Sequence, residues 1–172
     1  MTLAQKIYLP FLAAALLSAC KPKPAPTPPV NPSTTATFEI RAVLHDRSGN
    51  PSTRPNSQYV LGEDIERFTD NNGIPLFVLT DTTIDTSCLK SISAGEAYHG
   101  GAVLNFRLTA DCAKTFGEFT ERNIGKRMAV IINGEMLTSP SIRTAILGGS
   151  GYIEGGFKTL AEAEAIAKAF YE

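Results

Sequence analysis

Tryptophan is absent from the 172 residues, histidine occurs twice and cysteine three times. His45 and His99 stand at no ligand spacing to any cysteine, which leaves a metal site without a donor set. No Ser-His-Asp or Cys-His arrangement can be read either. Basic and acidic side chains nearly balance, with a formal net charge of −1 and no run of one sign, so nothing points to nucleic acid as a partner. No apolar run reaches the ~20 residues of a bilayer-spanning helix. The glycine-rich GGSGYIEGG lacks the Lys-Ser/Thr ending of a phosphate-binding loop and does not run straight into a helix. Its glycines are read instead as turns and close backbone approaches. His45 and Asp46 are neighbours on an extended segment and point to opposite faces, which makes them a solvated loop edge rather than an acid–base pair. Glu118, Glu121 and Arg122 belong to the polar face of a helix. The expectation is a protein without catalysis and without a cofactor.

What is present begins with MTLAQKIYLPFLAAALLSAC, where one lysine (Lys6), an apolar run from Ile7 to Leu17 and small residues precede Cys20. The run is too short to span about 30 Å of hydrocarbon and is followed at once by polar sequence, as in a secretory signal peptide over residues 1–19. Leu17-Ser18-Ala19-Cys20 resembles the bacterial lipobox, whose cysteine is acylated; the alternative is an ordinary signal peptide cut after Ala19. Several acyl chains at ~0.8 kcal/mol per buried CH₂ anchor a protein almost permanently. Lys21 stands where an Asp would favour inner-membrane retention, so the expected address is the outer membrane, facing the periplasm. Pro22, Pro24, Pro26, Pro28, Pro29 and Pro32 make residues 20–36 a polyproline-II tether, which extends by ~3.1 Å per residue. Residues 37–172 then form one domain. If Cys20 carries lipid, Cys88 and Cys112 remain as an even pair in an oxidising compartment; a disulfide is expected, two buried thiols being the alternative.

Within the domain, Phe38, Ile40, Ala42 and Leu44 alternate with Glu39, Arg41 and Val43 and predict a strand over 37–44 with one buried face. HDRSGNPSTRPNS is turn chemistry, QYVL (58–61) a short strand and EDIERF (63–68) a helical turn. IPLFVLT (74–80) reads as a strand with Pro75 near its start, and Ala102–Leu108 alternates again. Asp111 is the expected N-cap of a helix with an apolar stripe of Cys112, Ala113, Phe116, Phe119, Thr120 and Ile124, ended by Gly125. Met128–Ile132, the Asn133-Gly134 turn and Glu135–Thr138 make a hairpin. A short strand at Tyr152–Ile153 follows, then a helix opened by Thr159 and Glu162 as a capping box, with Leu160, Ala163, Ile166, Ala167 and Phe170 facing the core. The fold class is α+β, a mostly antiparallel sheet with two helices packed on one face.

These residues carry a family likeness. Phe106, Leu108, Thr109, Ala113 and Phe116 form one part of it. Thr120, Asn123, Gly125, Lys126, Arg127, Asn133, Gly134 and Pro140 form the second. Ile142, Arg143, Ile146, Gly148, Gly149, Gly151 and Ile153, followed by Phe157, Glu162 and Ala163, complete it. The run from Leu104 to Phe170 resembles the head subdomain of the first periplasmic domain of SecD, the membrane protein that with SecF assists export. Residues 74–95 fit the strand and linker before that core more loosely, and 45–68 match nothing in the family. The resemblance implies the SecD head fold and a surface for exported polypeptides or an envelope complex. It does not carry over the export motor, because that role rests on acidic residues within membrane-spanning helices, and this sequence has none. The expected function is a lipid-anchored polypeptide-binding module; the alternative is a protective or immunity-type lipoprotein that uses its unmatched 45–68 segment for one specific partner.

Overall fold

The computed structural model describes residues 29–31, 35–52, 54–55, 58–70 and 72–172. Residues 1–28, and with them the signal peptide, Cys20 and most of the tether, lie outside the described residues. The elements in chain order are β1 (Phe38–Val43), β2 (Ile65–Thr69), β3 (Pro75–Ile84), β4 (Leu89–Glu96), β5 (Ala102–Leu108), α1 (Ala110–Arg122), β6 (Met128–Ile132), β7 (Glu135–Thr138), β8 (Ser150–Glu154) and α2 (Leu160–Ala169). The strands form two sheets, β2-β3-β1-β6-β7 and β4-β5-β8. Every named pairing is antiparallel.

The main core collects the inward side chains of both sheets. Phe38 and Ile40 of β1 meet Leu104, Phe106 and Leu108 of β5, Met128, Val130 and Ile132 of β6, and Ile153 of β8. Phe116 and Phe119 of α1 and Ala163, Ala167 and Phe170 at the end of the chain close the same cluster. The large sheet is apolar on its other face too: Val43, Leu76, Val78, Ala129 and Ile131 form a second cluster there. β6 is therefore buried along its whole length, as a central strand between two apolar layers must be. The Cys88–Cys112 disulfide is formed, with 5.5 Å between the Cα atoms; it ties the segment just before β4 to the first turn of α1.

The structure differs from the sequence reading at six places. EDIERF is not a helical turn: Ile65–Thr69 is the edge strand β2, paired residue by residue with β3. QYVL is turn rather than strand, with a single bridge at Leu61. The segment read as a linker before Ala102 contains β4, and the expected single sheet is split in two. The cap of α1 is Thr109, not Asp111, and makes no side-chain cap bond; Asp111 lies in the first turn, where its charge still suits the helix dipole. Ile124, placed on the apolar stripe, is 52% exposed. In α2 the Thr159 hydroxyl accepts from the Glu162 N–H, but the Glu162 carboxylate takes the N–H of Lys158 instead of that of Thr159.

A groove between two terminal strands

β7 ends one sheet and β8 ends the other. Near Gly156 they approach each other so closely that a Cβ there would lie 2.7 Å from the Leu137 Cβ. Away from that point they diverge and leave a groove of about 650 Å³. Its floor is apolar, made by Phe106, Met128, Val130, Ile142 and Ile153, each under one-tenth exposed. Thr138, Pro140, Thr144 and the exposed Arg143, Tyr152 and Glu154 form the sides.

The backbone of β8 adds hydrogen-bonding capacity to one side. Leu108 N–H donates to Gly149 O at 2.7 Å, and in an antiparallel ladder the bonded positions alternate. Gly151 and Ile153, opposite Phe106 and Leu104, therefore bond inward to β5. Ser150, Tyr152 and Glu154 turn their N–H and C=O groups outward, toward the groove side.

The residues singled out in the sequence hold this geometry without lining most of it. Asn133 and Gly134 both have positive φ, 52° and 78°, the requirement of a type I′ turn, and thereby fix the β6–β7 register. Gly125 also has positive φ, and its N–H donates to Ile142 O at 2.8 Å. Pro140, just past β7, is a groove residue whose carbonyl accepts from Met128 N–H. Gly149 lies so close to α1 that a Cβ would sit 2.3 Å from Ala113 Cβ, and Gly151 leaves room for the Phe106 ring. Gly148 has open space around its Cβ position. Thr120, fully buried, donates to Phe116 O and accepts from Ile146 N–H at 2.9 Å. That bond pins the groove's 140–146 wall to α1.

His45 is not the solvated loop edge expected from the sequence. Its ring is half-buried, with Nδ1 2.7 Å from Val43 O and Nε2 3.0 Å from the N–H of Arg127. Burial pushes its pKa below the ordinary 6.5, and the nearby Lys126 and Arg127 charges push the same way, against the Val43 carbonyl and Asp46. Asp46 itself spends Oδ1 on the N–H groups of Ser48 and Asn50. Sequence reasoning missed the floor residues Met128 and Val130 as a site, because both are buried core positions of β6 and only the fold sets them beneath the ends of two sheets. It also missed the His45–Arg127 contact, whose partners are 82 residues apart.

Among the described residues, no helix is long and apolar enough to cross a membrane. Residues 61–170 match the family described as SecDF, P1 head subdomain. The match begins within the 45–68 stretch that resembled nothing, and takes in β2. SecD of Aquifex aeolicus is 33% identical over 134 residues, covering 77% of this chain and 26% of that protein. SecD of Rickettsia conorii is 42% identical over 69 residues, 40% of this chain and 13% of its own. A solved structure described as a membrane component SecDF that enhances protein export superposes with a TM-score of 0.57 at 27% identity, covering 80% of this chain and 63% of that one. This chain thus spans only a minor part of the SecD proteins it matches. The matched span of 61–170, together with the two-sheet core it encloses, makes the chain a member of the SecDF P1 head family.

Proposed function

We propose that this protein binds extended segments of unfolded, exported polypeptide in the groove between β7 and β8, without catalysis, as a module linked to protein export. The supporting observation is the groove itself: an apolar floor beside a terminal strand whose outward backbone groups match those of another extended chain. Alternate side chains of such a segment would enter the floor while its backbone pairs with β8, the strand-addition mode of peptide recognition. Because only apolar contact and backbone pairing are used, many sequences fit, as an export partner requires. The likeness to a SecDF described as enhancing protein export agrees with that role.

The test replaces Tyr152. Tyr152→Pro removes an outward N–H and no inward ladder bond, so the edge strand tolerates it; Tyr152→Ala removes the ring and keeps the N–H. Titrated with an unfolded exported polypeptide, the proline variant is expected to bind about tenfold more weakly than the alanine variant, the value of one well-made hydrogen bond plus register. Equal affinities for wild type and both variants would reject the groove. In the same reading Cys20 carries the lipid and holds the domain on the outer membrane. Fatty-acid labelling that survives Cys20→Ala would remove that part. The immunity-type alternative makes the 45–68 segment the binding element, so that deleting its 46–51 turn would abolish capture while Tyr152→Pro would not.

A further inference from the structure

We propose that His45 is a pH-responsive latch, fastening the 45–52 loop to the start of β6 when its ring is neutral and releasing it when the ring is protonated. The two contacts of the ring define one protonation state. A carbonyl oxygen only accepts, so Nδ1 carries the proton that it donates to Val43 O; a backbone N–H only donates, so Nε2 is bare where it accepts from Arg127. A second proton goes onto Nε2 and sets one N–H against another at 3.0 Å.

The charges around the ring do not offset that loss. Lys126 and Arg127, on the segment that leads into β6, are both positive. Asp46, on the loop itself, is already engaged by Ser48 and Asn50. Asp70, after β2, turns its Oδ2 to the Arg127 guanidinium at 3.5 Å.

What the latch joins gives it a consequence. On the loop side, His45 bridges Pro51, and Ser52 N–H donates to Leu44 O at 2.8 Å. On the other side Arg127 bridges Ser141, and its Nε donates to Ser139 O at 2.7 Å. Ser141 lines the groove. Acid therefore frees the loop and slackens one groove wall from behind. The latch itself depends on no assumption about the groove's occupant.

Amide exchange of the full-length chain, followed by nuclear magnetic resonance between pH 7.5 and 5.0 and corrected for intrinsic rates, tests it. Protection of the Arg127 amide is expected to fall about tenfold, the loss of one hydrogen bond, with a midpoint below 6.5, and the Ser52 amide falls with it while α2 amides hold. The imidazole nitrogen shifts at pH 7.5 report the Nδ1–H tautomer. His45→Gln keeps an acceptor that does not titrate, and is expected to retain protection with a flat profile; His45→Ala loses it at both ends. A flat profile in the wild type, or the same fall in His45→Gln, overturns the latch.

Discussion

Thr120 carries more structure than its size suggests. It is the buried polar side chain where α1 meets the loop after β7, and its hydroxyl serves as donor to Phe116 O and acceptor for Ile146 N–H at once. Valine has the same shape without the hydroxyl. Thr120→Val is expected to cost about 1–3 kcal/mol, the penalty of an amide left buried without a partner, read as a lower urea midpoint at unchanged slope. Thr120→Ser keeps the hydroxyl and should lose less. Gly149 is the matching constraint on the loop's far end: with Ala113 Cβ 2.3 Å from where its own Cβ would be and φ at +59°, Gly149→Ala forces α1 and β8 apart and costs about 1–3 kcal/mol. The sequence placed Thr120 on an apolar stripe, which is correct for its burial. Its acceptor role was not legible, because the partner is 26 residues away.

The elements that the sequence revealed are those whose periodicity is unbroken. β5 alternates cleanly, and the Asn133-Gly134 hairpin is written in its turn residues. β4 was hidden because a register shift between Leu89 and Ser91 separates its two fully buried residues, Leu89 and Ile92, by an odd interval; a bulge of this kind erases the period of two. β2 was hidden for a related reason. Ile65 and Phe68 have helical spacing, yet they lie on opposite faces of an edge strand, Ile65 in the Leu44–Phe77 cluster and Phe68 against Val43 and Leu76. The exposed side of β4 is covered late in the chain: Ile92 N–H donates to the Tyr171 hydroxyl, which bonds back to Ile92 O. Such a cap protects an edge from pairing with a stranger. The disulfide fixes the other end of β4 to α1 over 24 residues of sequence. Replacing Cys88 and Cys112 together by serine is expected to lower stability by about 3 kcal/mol in the chain-entropy account, seen as a fall in melting temperature equal to that caused by a reductant on the wild type and not added to by it.

At the scale of the molecule, the two sheets share one core and the groove lies between their terminal strands, with Arg127 as the corner behind one groove wall. His45 takes its N–H and Asp70 its guanidinium, so both acid–base neighbours of that corner act in the same direction. His45 is less basic in the folded chain than the ordinary 6.5, first through burial. Its contribution is complete above about pH 6.5 and is lost as pH falls through the lower folded value, because the unfolded chain takes up the proton first. Asp70 is more acidic than the ordinary 3.8, chiefly because its Oδ1 accepts from the N–H of Ile74, with Asn72 and Arg127 adding to it. Its contribution is complete above about pH 3.8 and is lost below that, as pH falls through the still lower folded value. Melting temperature should therefore fall in two stages on acidification, one beginning near pH 6.5 and one near pH 4, with a shoulder between them. His45→Gln is expected to remove the first stage alone. Asp70→Asn should lower stability at pH 7 and flatten the second stage while leaving the first. Calorimetry of the three proteins from pH 7.5 to 3 separates these effects, and a single decline shared by all three would show that acid acts on the chain elsewhere than at the Arg127 corner.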